Sequence, residues 1–271
     1  MKQKTYSTNN IKAVFFDIDG TLLSHKINDI PDSTLKALDL LKAKGIKVFI
    51  ATGRHITEMA ELTPLKKLSM DGYITLNGAY CFNGEGVYYD HPVDHDEIKI
   101  IIYDHDQKPY PCMFVEADRM YISSHNDHVV MVQEAIHTSL PPIGDIHRGY
   151  DHKIYMVIPY CDDEREEELM NKLHKVKTTR WHKYAIDMIP DDGGKEVGLE
   201  KTCEHYGIKR DETMAFGDGD NDITMIKWAG VGVAMGNSDD LVKQEADFVT
   251  KSIDEEGILY ACKYYGLIDD E

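Results

Sequence analysis

Short, fully apolar runs alternate with segments of helical period along much of this chain, and that alternation restricts the fold more than any other feature. Ala13-Val14-Phe15-Phe16 fits a strand buried on both faces. From Asp32 to Lys44, Leu35, Leu38 and Leu41 recur at helical spacing, with Asp32 or Ser33 suited to the N-cap and Gly45 to the stop. Val48-Phe49-Ile50-Ala51 reads as a second buried strand, followed by Thr52-Gly53 and a helix towards Leu62. Tyr73-Ile74-Thr75-Leu76 reads as a third, ending at Asn77-Gly78. Strands separated by helices predict parallel pairing with right-handed crossovers, a doubly wound Rossmann-like α/β core. The last third repeats the style. Met214-Ala215-Phe216 precedes an acidic loop and a helix through Trp228, then come Val231 to Met235, a helix from about Asp239, Phe248-Val249 and a closing helix from Glu256 to Tyr265.

The middle breaks the alternation. It carries Tyr- and His-rich strand-like pieces (Val87 to Tyr89, Met120 to Ile122, Lys153 to Ile158) and helical stretches near Asp127 to Ile136 and Asp163 to His174. This predicts a discontinuous core, residues 1–79 and 187–271, with an α+β domain inserted at 80–186.

Charge narrows the partners. The formal charge is −18 with no Lys/Arg-rich block, which excludes phosphate-backbone binding to nucleic acid. A protein this acidic that handles an anionic substrate must gather positive charge locally, and a divalent cation with a lone lysine does so. The five cysteines sit at neither metal-finger nor redox spacing and are expected as free thiols in a reducing cytosol. Residues 1–10 lack the apolar stretch of a signal peptide, and no apolar run reaches the ~18–20 residues of a membrane span. The expectation is a soluble, cytoplasmic protein.

Four separate pieces carry chemistry, each placed where a predicted strand ends, the edge at which open α/β sheets bind ligands. In Asp17-Ile18-Asp19-Gly20-Thr21, residues two apart on an extended chain project to the same side. Two such carboxylates repel unless a cation lies between them, and Mg²⁺ suits hard oxygen ligands with substrate phosphate and water. Asp-Gly is also common in plain turns. Thr52-Gly53-Arg54 offers a hydroxyl and an N–H at a helix start, an anion seat or simply an N-cap. Lys195, after Gly193-Gly194 and ahead of a helix from about Glu196, is either a surface lysine or a point charge reaching a phosphate. Gly217-Asp218-Gly219-Asp220-Asn221-Asp222 has the acidic density of a metal seat but runs into the apolar Ile223-Thr224-Met225, unlike an EF-hand.

The order Asp pair, Thr, Lys, Asp loop resembles a haloacid-dehalogenase-superfamily phosphatase of the Cof type, with a large α+β (type IIB) cap inserted after the third core strand. The resemblance spans essentially the whole chain. It implies Asp17 as the nucleophile that becomes phosphorylated and Asp19 as the general acid/base. It implies Thr52, Gly53, Lys195 and Asn221 as phosphate-binding groups, and a Mg²⁺ site of Asp17, Asp218 and Asp19, the last through its backbone carbonyl. Asp222 is implied as support for metal or lysine. The family usually has Gly after the Lys, where this chain has Glu196. The cap is implied to close over the site and supply the substrate-contacting surface, and Asn77 at the first hinge is either a turn former or a substrate contact.

Ten of the thirteen histidines lie between His91 and His182, so a Tyr- and His-lined sugar surface is expected there. His125 and His128 are either a metal pair or exposed or substrate-facing groups. The implied substrate is a small phosphorylated metabolite: a hexose phosphate, erythrose 4-phosphate, pyridoxal phosphate or flavin mononucleotide. Monomer and dimer both remain open. Two other readings compete. A sugar phosphomutase of the same superfamily shares the core, but the compact acidic loop fits the hydrolases better. A non-catalytic receiver-type phospho-acceptor has an acidic cluster, Thr and Lys, but is about half this length and lacks the need for a carboxylate at position 19.

Overall fold

The computed structural model describes residues 10–136 and 138–269; the N-terminal stretch before Asn10 and His137 lie outside the described residues. The chain begins with β1 (Ala13–Phe16), α1 (Asp32–Ala43), β2 (Lys47–Ala51), α2 (Ile56–Glu61), β3 (Gly72–Thr75), β4 (Tyr80–Asn83) and β5 (Gly86–Asp90). The middle holds α3 (His95–Gln107), β6 (Cys112–Val115), β7 (Met120–Ile122), α4 (Asp127–Ala135), β8 (Met156–Pro159), α5 (Asp163–Met170), β9 (Val176–His182) and β10 (Ala185–Pro190). The remainder is α6 (Lys195–Tyr206), β11 (Thr213–Gly217), α7 (Ile223–Trp228), β12 (Val231–Ala234), α8 (Asp240–Glu245), β13 (Phe248–Val249) and α9 (Gly257–Tyr264).

Contacts divide these into two units. One comprises the described residues to Arg54, Met59–Tyr89 and those from Lys195 onward; the other comprises His55–Glu58 and Asp90–Gly194. The first is built on a sheet ordered β13-β12-β11-β1-β2-β3-β4-β5, parallel from β13 to β3. Every residue of β1 is fully buried because both faces are covered. Val14, Phe16, Val48, Ile50 and Phe216 pack against Leu38 and Leu41 of α1 and Ile258 and Ala261 of α9. Ala13, Phe15, Phe49 and Ala215 pack against Leu199 and Cys203 of α6 and Met225 of α7. Phe15 stacks on Phe49 at 5.0 Å and Phe16 on Phe216 at 5.2 Å, in the pairing register. Burying each such ring is worth ~1.5–3 kcal/mol, so the register of the three central strands is strongly fixed. The parallel strands therefore end at one common edge.

Two expectations shift. Val87 to Tyr89, read as part of the insertion, lie in β5 at the edge of this first sheet. The chain does not leave the sheet after β3, because Leu76, Asn77 and Gly78 take left-handed conformations (φ 54, 52 and 95) and fold it back. Tyr80 then pairs antiparallel with Thr75. Conversely, β10 belongs to the second sheet through its pairs with β8 and β9. The main segment of the second unit thus runs from Asp90 to Gly194, where 80–186 was expected. Helix α1 also starts at Asp32 with Pro31 as N-cap, so Asp32 faces the helix dipole from the first turn instead of capping it.

The second unit is an antiparallel sheet, β7-β6-β8-β10-β9. Its core gathers Ile98, Ile101 and Ile102 of α3, Leu169 of α5, and Phe114, Val157 and Met188 of the sheet. Among the described residues no helix is long and apolar enough to cross a membrane.

Candidate active site

Asp17 is the first residue past β1, and its N–H donates to Phe216 O at 3.0 Å, which ties it to the end of β11. Lys195 opens α6 and is only 1% exposed. Its ammonium donates to Asp17 Oδ1 at 2.7 Å and to Asp222 Oδ1 at 2.6 Å. The other Asp222 oxygen accepts from the N–H groups of Asp218 (2.9 Å) and Gly219 (3.0 Å), which closes the acidic loop on itself. Asp218 is held from two further directions. Thr21 Oγ1 donates to its Oδ1 at 2.9 Å, and Asn237 Nδ2 lies 3.3 Å from its Oδ2 while donating to Gly20 O at 2.9 Å. Asn237 Oδ1 in turn accepts from Ile253 N–H at 3.0 Å.

One oxygen each from Asp17, Asp218 and Asp222 lie within 4.8 Å of one another. Three carboxylates surround one ammonium that bonds two of them, and the imbalance shows at Asp17 and Asp218. Burial first, then Asp222, push the Asp17 carboxyl well above the carboxylate range, against the pull of Lys195. Burial and Asp222 likewise raise Asp218 to about 7, with the Thr21 hydroxyl opposing. Burial works against the Lys195 ammonium, but Asp17 and Asp222 outweigh it and hold its pKa above the usual lysine value. A largely buried cluster with excess negative charge and hard oxygen donors is what a divalent cation fits.

The other expected residues fall around this cluster. The Asp19 carboxylate is not among the three clustered oxygens; it is gripped by Arg54, with Nε to Oδ2 at 2.6 Å and Nη2 to Oδ1 at 2.9 Å. Thr52 is buried just past β2, and its Oγ1 accepts from Arg54 N–H at 3.1 Å. An added Cβ on Gly53 would meet Asn77 Oδ1 at 3.0 Å, and Asn77 is buried with its N–H on Thr52 O at 3.1 Å. Asn221 is half-buried, its Oδ1 lying over Gly219. Glu196 is not carried out into water: it is half-buried in the first turn of α6, and its Oε2 is buried without a hydrogen-bond partner. In the second unit His125 Nε2 engages Pro141 O at 2.8 Å and His128 stacks on Tyr184 at 3.8 Å, so the two histidines are used separately.

Sequence reading assigned no role to Thr21, Arg54 or Asn237. The rule that placed the others, a polar residue just past a buried strand, also points to Asn237 beyond β12. Arg54 stands in the quoted Thr52-Gly53-Arg54 motif, but nothing in sequence spacing links it to Asp19.

A family model for haloacid dehalogenase-like hydrolases matches residues 14–262, and the chain belongs to that family. It is 36% identical to the Bacillus subtilis (strain 168) protein named "Putative phosphatase YkrA", over 95% of this chain and 98% of that one. A solved structure of the HAD subclass IIB sugar phosphatase BT4131 shares 39% identity with a TM-score of 0.83, covering 95% of this chain and 100% of that one. BT1666 from Bacteroides thetaiotaomicron, described among HAD phosphatases, shares 31% identity with a TM-score of 0.88, covering 98% of both chains. Family and relatives together make the chain an enzyme of the phosphatase class.

Proposed function

We propose that the protein hydrolyses small phosphorylated metabolites, sugar phosphates or like phosphomonoesters, through a phospho-aspartyl intermediate on Asp17. The observation that carries this reading is the buried triad in which Lys195 bridges Asp17 and Asp222 at 2.7 and 2.6 Å, beside Asp218. Such a cluster is costly to bury and suits phosphoryl transfer, where positioning and neutralisation of oxygens supply most of the catalysis. The substrate class is supported by the sugar phosphatase name of one relative. It is supported also by a second relative, 31% identical, named 5-amino-6-(5-phospho-D-ribitylamino)uracil phosphatase YcsE. Both names describe phosphate on a polyhydroxylated carbon chain.

In the first half-reaction an Asp17 oxygen attacks phosphorus, the bond to the leaving oxygen breaks, and Asp19 gives that oxygen a proton. In the second, Asp19 takes a proton from water, the water oxygen attacks phosphorus, and Asp17 leaves as carboxylate with release of inorganic phosphate. Lys195 pulls Asp17 toward its ionised form against burial and Asp222, while Thr52, Gly53 N–H and Asn221 orient the phosphoryl oxygens. Asp17 and Asp218, with the Asp19 carbonyl, would hold Mg²⁺, which when bound supplies charge neutralisation to the phosphoryl group and to the carboxylates. Asp222 positions Lys195 and the Asp218 loop. Free, scattered thiols support a cytoplasmic setting.

The test is direct. Asp17→Asn should cut phosphate release from p-nitrophenyl phosphate by ~10³-fold or more while the melting curve stays native. EDTA should abolish wild-type turnover and Mg²⁺ restore it. Substantial hydrolysis by folded Asp17→Asn enzyme, or indifference to chelation, would overturn the reading.

A further inference from the structure

Asp19 carries a task that its present geometry already constrains. Both of its carboxylate oxygens are engaged by one guanidinium, with Arg54 Nε on Oδ2 at 2.6 Å and Nη2 on Oδ1 at 2.9 Å. The two side chains are 17% and 33% exposed, so the pair is neither a loose surface contact nor sealed from water. A planar fork on a carboxylate fixes its plane and rotation, which a lysine could not do.

The arginine is itself held. Its N–H donates to Thr52 Oγ1 at 3.1 Å, and its carbonyl accepts from Leu76 N–H at 3.4 Å. Leu76, Asn77 and Gly78 all sit at positive φ (54, 52 and 95), and Asn77 N–H donates to Thr52 O at 3.1 Å. Non-glycine residues in that region cost ~1–3 kcal/mol each and persist where the surroundings over-determine them. The strained turn therefore fixes the Thr52-Gly53-Arg54 backbone from which the fork reaches Asp19.

We infer that Arg54 is a positioning residue that holds the Asp19 carboxylate as the base for the water-consuming half-reaction. The inference rests on the reading of Asp19 as acid/base. It makes a prediction that neither a phosphate-binding arginine nor a passive ion pair makes. With p-nitrophenyl phosphate the leaving phenolate needs no proton, so loss of the fork should spare formation of the aspartyl phosphate and slow only its hydrolysis.

The experiment is stopped-flow and steady-state kinetics of Arg54→Ala, Arg54→Lys and Asp19→Asn with p-nitrophenyl phosphate and Mg²⁺, each variant checked for a native melting curve. Arg54→Ala should release a burst of p-nitrophenol near one equivalent, followed by turnover slowed about 10- to 100-fold. Its KM should fall in parallel, leaving kcat/KM close to wild type, and Arg54→Lys should recover only part of kcat. Asp19→Asn should show the same burst with a deeper loss. A raised KM without a burst would assign Arg54 to phosphate binding and overturn the inference, as would wild-type kinetics. If Asp19→Asn gives no burst, the acid/base reading of Asp19 fails; if it bursts and Arg54→Ala does not, only the role of Arg54 fails.

Discussion

Gly20 shows how tightly the site is specified at the scale of one residue. It sits at φ 75, and a Cβ added there would lie 2.1 Å from Asp218 Oδ2. No side chain rotation relieves that overlap, because Asp218 is held by Thr21 at 2.9 Å and by the Asn237 amide at 3.3 Å. Gly20→Ala must therefore move either the β1 loop or the Asp218 carboxylate. On the proposed reading Asp218 is a Mg²⁺ ligand, and disturbing what orients a ligand typically costs ~10- to 100-fold in affinity, so the Mg²⁺ concentration for half-maximal activity should rise by about that factor. An unchanged Mg²⁺ requirement in the folded variant would mean that Asp218 is not a ligand. The residues legible from sequence were those whose signal is local: Asp17 and Asp218 stand just past apolar strands, and Lys195 follows a glycine pair. What could not be read were the pairings. Lys195 and Asp17 are 178 positions apart, and Arg54 reaches Asp19 across 35, distances that only the sheet's register closes.

At the scale of elements, the central strands were legible because β1, β2 and β11 are apolar runs buried on both faces. Helix α3 was not. Its Ile98, Ile100, Ile101 and Ile102 form a β-branched cluster that local propensity assigns to a strand. The helix persists because Asp94 caps it by accepting from Asp96 N–H at 2.9 Å, and because Ile98, Ile101 and Ile102 fall on one buried face. Farther along that helix lies Asp104, buried, accepting from Lys172 Nζ at 2.5 Å and from the Arg165 guanidinium. Arg165 also stands over the Tyr110 ring at 4.5 Å, and is itself buried. Removing one partner of a buried ion pair strands the other charge, so Asp104→Ala should destabilise the second unit by ~3–5 kcal/mol. Trp181 lies in that unit and Trp228 in the other, so denaturant unfolding followed by fluorescence in a Trp228→Phe background reads it separately. A loss below ~1 kcal/mol would place Asp104 with the weak surface pairs.

At the scale of the whole molecule the decisive quantity is charge, and it opposes the chemistry. The net −18 must repel a phosphorylated substrate at long range, whereas on the proposed reading the attraction comes from Lys195, a divalent cation and N–H donors inside the site. The two fields respond differently to salt. The Debye length is ~10 Å at 0.1 M, so repulsion from distant surface carboxylates is largely screened there, while contacts inside a buried site are screened much less. Added monovalent salt should therefore raise kcat/KM, by about two- to threefold between low and physiological ionic strength, with kcat nearly unchanged. The measurement is initial rates across a KCl series at fixed saturating Mg²⁺. A fall in kcat/KM would show that local positive charge reaches past the surface and steers the substrate in. That result would place the balance of fields with the site, not with the acidic surface around it.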